Sequence, residues 1–537
     1  MTKWGVLAVL GAAQFLMVLD QAVMNVAISQ LVADFDTTVT TIQAVIALYA
    51  LVMAGLMLTG GKLGDLLGRR RAFAIGLVVY AGGSALTAAS WSVASLTVGW
   101  SILEGIGAAL VLPAMVALVA ANFRGQERAV AYGVLGGVAG AGIAVGPILG
   151  GWATTELSWR VVFAGEVVVA AGIFAGLRLL DDAEVGRGQR ELDWVGSVLS
   201  AAGLVLVVLG VLEASAWGWL HPRNSPIEPF GFSLAPFVIA AGGVVLAAFV
   251  GWERRREEGG REPLVHLRLL GLPRLRAGLV MLVSQNLILM GVFFTVPLFL
   301  QVVQGLDALE TGVRMLPASV GLFLSALAGS ALARRLPPRA IVRGGLAIVL
   351  VAVLLLLDTI EAELDNGSFL IAMGVLGVGM GLVISQLGNV VQSAVGDEER
   401  SEAGGLQNTA QQLGSSLGTA FLGAVVITGL IAAFGSNVEA NPKIETAVKH
   451  QVHLHLASGA SFVPAADVES AARAAGLEPT TTEELVSDYE DAQLTALKTA
   501  FLFAAALVVA ALLATRTLPT RRFDELQPSA EPARGRD

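Results

Sequence analysis

Apolar stretches of 17 to 30 residues follow one another along almost the whole chain, separated mostly by short polar turns. A helix needs about 20 apolar residues to cross the hydrocarbon core of a bilayer. Stretches that qualify, or nearly so, fall at 5–30, 42–60, 72–90, 94–119, 133–154, 160–178, 194–215, 232–251, 277–301, 311–333, 340–357, 368–391, 403–432 and 499–515. The pattern predicts an all-α integral membrane protein of fourteen transmembrane helices. The first stretch is too long for a cleaved leader and contains Asp20 and Asn25, so it reads as a retained helix. The segment 433–498 is polar and acidic and reads as an outer loop, with helical pieces near 465–475 and 482–498.

Composition agrees. Of 537 residues, 55% are hydrophobic and 14% charged, and the mean hydropathy is +0.72. A soluble chain this long would carry more surface charge. The 63 glycines suit a bundle in which small residues let helices approach closely. A net charge of −9 argues against a nucleic-acid partner. With no cysteine there is no thiol chemistry, and no cofactor is expected. His450, His453 and His455 read as part of a solvated loop in preference to a metal site. Lys and Arg gather at alternate turns: Lys62 with Arg69–Arg71, Arg124 and Arg128, Arg254–Arg256, Arg334, Arg335 and Arg339, then Arg516, Arg521 and Arg522. By the positive-inside rule both termini are cytoplasmic, which requires an even number of crossings.

Two motifs sharpen the picture. The turn after the second stretch carries Gly61, Asp65, Gly68, Arg69 and Arg70 with spacing Gly-x3-Asp-x2-Gly-Arg-Arg. Its glycines permit a tight turn, its carboxylate can face a helix N-terminus or an arginine, and its arginines suit an anionic lipid surface. The fifth stretch carries Gly142, Gly146, Pro147, Gly150 and Gly151, a close-packing face with a kink. Together they resemble the signatures of the major facilitator superfamily, the second that of its antiporters. Leu19-Asp20 with Asn25-Val-Ala, Ser158-Trp159-Arg160, Gly312 to Pro317 and Gly405 to Gly414 are similar to the fourteen-helix drug:proton antiporter family.

The resemblance implies two six-helix bundles around a central cavity that opens to alternate sides. The first would be 1–180 and the second 277–515, with an inserted helix pair and linkers in 181–276 and a cytoplasmic tail in 516–537. A degenerate echo of the first turn at 329–335 has Ala333 where the carboxylate would stand. The resemblance also implies a bacterial cytoplasmic membrane, a small-molecule substrate, protons and membrane lipids as partners, and function as a monomer.

Charge inside a span is costly, so a carboxyl there takes up a proton readily. Asp20, Glu104 and Glu166 are the candidates. At about 1.5 Å per residue, Asp20 and Glu166 fall at similar depth in the outer half and Glu104 nearer the middle. In the resembled fold they meet at a water-accessible cleft between the bundles. The alternative for Asp20 is a structural pair with Gln14 or Asn25. The fourth helix departs from the family: Ser101 and Glu104 stand where arginine and glutamine are usual, and Glu166 and Val168 replace an Asn-x-Pro. Both changes make the cavity more negative. Candidate substrate contacts are Asn25, Gln285, Asn286, Phe293, Phe294, Gln386, Asn389, Asn408 and Gln411; helix–helix hydrogen bonding is the equal alternative for the polar ones. The reading is export of hydrophobic, cationic compounds in exchange for protons. Its competitors are a dedicated exporter of one metabolite, lipid or antibiotic, and a non-transporting sensor or scaffold. No ATP-binding loop is present.

Overall fold

The computed structural model describes residues 3–123, 125–180, 192–222, 225–396, 399–457 and 462–521. Arg124, Arg223, Arg522 and the rest of the tail lie outside the described residues, as do the side chains of Asp65, Arg128, His453 and His455 and the surroundings of Gly133, Gly136 and Gly140.

Among the described residues, fourteen long helices lie where the apolar stretches predict them. The first bundle comprises α1 (Lys3–Val26), α2 (Val39–Leu67), α3 (Arg69–Ala88), α4, α5 (Gly125–Glu156) and α6 (Trp159–Gly176). Helix α4 runs through Val93–Leu96, a π-helical stretch Thr97–Glu104 and Gly105–Asn122. Then come α7 (Trp194–Trp217) and α8 (Ala235–Glu258), followed by α9 (Pro273–Leu298, with a π-helical extension Phe299–Val303), α10 (Ala308–Leu332), α11 (Pro338–Asp358), α12 (Asn366–Gln392), α13 (Arg400–Ala440) and α14 (Pro479–Ala514). Thirteen are apolar and long enough to cross a membrane by length and composition. The fourteenth is α5, 32 residues long, with Pro147 inside it.

Local chemistry sets the boundaries. Gly68, at φ 93°, is the single residue between α2 and α3, a conformation that favours glycine. The Ser158 hydroxyl accepts from the Arg160 N–H at 3.2 Å and starts α6. The Asp307 carboxylate accepts from the Glu310 N–H at 2.7 Å and starts α10.

Helices α7 and α8 pack on each other, and α7 also lies against α2 and α13. There Leu204, Val208 and Val211 form an apolar cluster with Leu51, Ala54 and Ala420. Beyond it, α2 touches α13 and α5 touches α10 directly. The Gln43 amide donates to the Thr419 and Ala420 carbonyls at 3.0 and 3.2 Å, and the Ser416 hydroxyl to the Ala47 carbonyl at 2.8 Å. At the face away from the N-terminus, called the far face, Gln301 donates to the Val26 carbonyl at 2.8 Å and accepts from the Ser29 N–H at 3.2 Å.

The polar segment 433–498 differs from its expected form. Helix α13 continues to Ala440, Thr446–Ala457 and Ala465–Ala474 are helical, and 482–498 is no separate piece but the first half of α14. The polar ends of α13 and α14 pair with each other, which holds both helical beyond their apolar stretches. Asn437 donates to the Asp488 carbonyl at 3.0 Å, Lys443 pairs with Glu484, and Phe434 meets Tyr489 edge-on at 5.3 Å.

Candidate functional site

Asp20, Glu104 and Glu166 converge. One carboxylate oxygen of each lies within 4.8 Å of the others. Helices α1, α4 and α6 bring them together, Glu104 as the last residue of the π-helical stretch, a local widening frequent at functional sites.

Their surroundings are polar but uncharged. The Trp100 indole N–H donates to Asp20 Oδ1 at 2.7 Å, and the Trp100 ring stacks on Tyr49 at 4.4 Å. Thr87 donates to Glu104 Oε1 at 3.0 Å. Tyr80 and Ser84 both donate to Glu166 Oε2 at 2.9 Å. Tyr80, Ser84 and Thr87 follow at spacings of four and three on α3, which puts three hydroxyls on one helix face. No ion pair to these carboxyls occurs among the described residues. Asp20 Oδ2, Glu104 Oε2 and Glu166 Oε1 are buried and have no hydrogen-bond partner among the described residues.

The glycines of α3 and α4 make this fit. A Cβ on Gly83 would lie 2.7 Å from both Glu104 Cγ and the Glu104 backbone nitrogen. One expectation is corrected here. The carboxyls meet, but inside the first bundle, with exposures of 0%, 0% and 2%, and not in an open cleft between bundles. The alternative of a structural pair between Asp20 and Asn25 does not occur: the Asn25 amide donates to the Gln21 carbonyl at 2.7 Å.

The glycines of α5 face two ways. A methyl on Gly142, Gly146 or Gly150 would run into Val18, Ala22 or Val23 of α1. A methyl on Gly151 would strike the Ala308 carbonyl of α10, and one on Gly312 of α10 would strike the Pro147 carbonyl. Helix α5 thus lies in bare-backbone contact between the helix that carries Asp20 and a helix of the second half.

The sequence matches the model of the Major Facilitator Superfamily over residues 10–419. The chain belongs to the major facilitator superfamily. Membership makes it a multi-pass membrane transporter and not an enzyme. It is 32% identical over 425 residues to the tetracenomycin C resistance and export protein of Streptomyces glaucescens, covering 79% of this chain and 76% of that one. It is 34% identical over 440 residues to a puromycin resistance protein of Streptomyces alboniger, covering 80% and 83%. In fold it is similar to an inward-facing, unoccupied bacterial homolog of the human lysosomal transporter Spinster. The TM-score is 0.58 at 15% identity, covering 98% of this chain and 99% of that one.

On this major facilitator fold the remaining candidates scatter. At the turn, Gly61 is half-buried and Arg69 reaches the Ala117 carbonyl at 3.5 Å; Arg70 is half-buried and Asp65 lies outside the described side chains. Gln285 is buried and accepts from Asn286 at 3.3 Å. Gln386 donates to the Gly329 carbonyl at 2.9 Å, tying α12 to α10. Phe293 and Phe294 are buried, Asn408 and Gln411 half-buried, and Asn389 exposed. Sequence reasoning missed Trp100, Tyr49, the α3 hydroxyls and Gln43. The regular spacing of Tyr80, Ser84 and Thr87 is the signal that was there to be read.

Proposed function

We propose that this chain is a proton-coupled antiporter that exports hydrophobic, cationic small molecules across the bacterial cytoplasmic membrane. Both termini are cytoplasmic, and a single chain is the working unit. The observation that carries the reading is the carboxyl cluster. Three carboxyls within 4.8 Å, without a cationic partner, cannot all be ionised in a medium that screens charge poorly. They must share protons, and they titrate as a unit.

The cycle follows from charge. A proton arriving from outside neutralises the cluster and lets the outward-open form release its cargo. Loss of that proton to the cytoplasm restores the negative charge and the affinity for a cation. Helix α5, packed backbone to side chain on α1, carries the change to α10. The far-face bonds of Gln301 and Gln43 break as the halves rock.

The names of the relatives favour a second reading. Tetracenomycin C and puromycin each appear in the name of one relative, which supports a dedicated exporter of one antibiotic. Accumulation assays in a host stripped of its own exporters separate the two, since the first reading requires many unrelated substrates. Inverted vesicles carrying Asp20→Asn, Glu104→Gln or Glu166→Gln test the coupling. Transport driven by a pH gradient that is unchanged in all three discards it.

A further inference from the structure

The carboxyl cluster has more donor capacity than proton sharing uses. Each acid spends one oxygen on a neighbour's hydrogen bond: Asp20 on Trp100, Glu104 on Thr87, Glu166 on Tyr80 and Ser84. The second oxygen of each is buried and unpartnered. The Tyr49 hydroxyl, 1% exposed, stands beside Asp20 and Glu104. Helices α1, α4 and α6 of the first bundle therefore each bring a spare oxygen to this cluster. The donated hydrogen bonds fix the orientation of each carboxyl, as supporting bonds do around metal ligands.

We propose that these oxygens form a cage for a hard, oxygen-liking cation of calcium or sodium size. The spacing fits. Ligand distances of about 2.3–2.6 Å place oxygens on opposite sides of such an ion about 4.6–5.2 Å apart; one carboxylate oxygen of each acid lies within 4.8 Å of the others. Dryness argues against magnesium, which gives up its waters reluctantly and is seldom held by an all-protein cage. The absence of sulfur and imidazole argues against zinc and copper. Such an ion compensates the charge of the acids and competes with protons for the same oxygens. The titratable groups that face it are the three carboxyls and the phenols of Tyr49 and Tyr80, from α1, α2, α3, α4 and α6. The inference deepens the antiporter reading by giving the coupling carboxyls a second cation.

The test uses purified full-length protein in lipid nanodiscs, titrated with radiolabelled sodium and, separately, radiolabelled calcium. Saturable binding of one ion per chain in mildly alkaline buffer is expected, lost in mildly acid buffer. Glu104→Gln and Glu166→Gln should each weaken it about tenfold or more, whereas Glu253→Gln, a buried carboxyl of α8, should leave it unchanged. Whichever ion saturates identifies the occupant. The wild-type titrations carry the test alone if a variant fails to fold. Absence of saturable binding of both ions by folded wild-type protein overturns the proposal, as does equal affinity in both cluster variants. Proton-driven export in vesicles free of sodium and calcium is measured in parallel. Export that persists without ion binding removes the cage and keeps the antiporter; ion binding without proton-driven export does the reverse.

Discussion

The two halves of this transporter bury polar groups of different kinds. In α1–α6 the buried set among the described residues includes Asp20, Glu104 and Glu166; in α9–α14 it holds only neutral side chains, among them Gln285, Gln301, Gln386, Ser319, Ser325, Ser416 and Gln493. Neutral amides and hydroxyls inside a membrane bundle bond to neighbouring carbonyls and hold helices together. Carboxyls cost more to bury and respond to protons and cations. The contrast assigns ion chemistry to the first half and neutral scaffolding or cargo contact to the second.

The sharpest way to break this contrast is Asp20→Asn. The amide keeps an acceptor for Trp100 and removes only the charge. Export driven by a pH gradient in inverted vesicles should fall about tenfold or more, equivalent to at least about 1.4 kcal/mol. Next is Gly83→Ala, whose added methyl strikes Glu104 Cγ and backbone; overpacking of this kind costs about 1–3 kcal/mol and should lower the thermal unfolding midpoint. The matching change in the second half, Gln386→Leu, removes the donor to the Gly329 carbonyl. Its cost should be about 1 kcal/mol, with the pH profile of export unmoved. A shift of that profile would end the assignment of ion chemistry to one half.

The smallest effect is expected at Asp34, the last residue of the short far-face helix Ile28–Asp34 that follows α1. Burial alone would push its carboxyl up, but hydrogen bonds from Trp159, Gln30 and Arg160 and the Arg160 charge outweigh that and hold it below 3.8. A lowered carboxyl contributes stability above its unfolded value of 3.8, and that contribution is lost as pH falls through its folded value. The Arg160 contact, at 2.8 Å, is partly exposed, so Asp34→Asn should cost only about 0–1 kcal/mol near neutral pH. Unfolding of both proteins followed from neutral to acid pH checks the convergence.

Much of this was legible in the sequence because membrane crossing imposes a length and an apolarity that few other structures share. The apolar stretches marked α1–α14, Gly68 marked the tight turn, and three acids within apolar runs marked the cluster. What sequence could not supply was azimuth. Asp20, Glu104 and Glu166 sit on helices far apart in the chain, and only the packing of α3 against α4 and α6 shows which way each side chain turns. Enclosure was missed for the same reason, since Trp100 and Tyr49 read as ordinary aromatics until they stack. The polar half of α14 was read as a separate helical piece of an outer loop because its stabilising partner, the end of α13, lies some fifty residues back in the sequence, Asn437 against Asp488 for example.

That last helix gives the molecule a lever. Its 36 residues extend about 54 Å at about 1.5 Å per residue, while the hydrocarbon core is about 30 Å thick. Some two dozen ångströms therefore project from the lipid, braced by the end of α13. A rocking motion too slight to resolve among the membrane-embedded helices is magnified at that tip. A pair of spin labels, one on the projecting turns and one on Ser92, would turn alternating access into a distance that changes with each cycle.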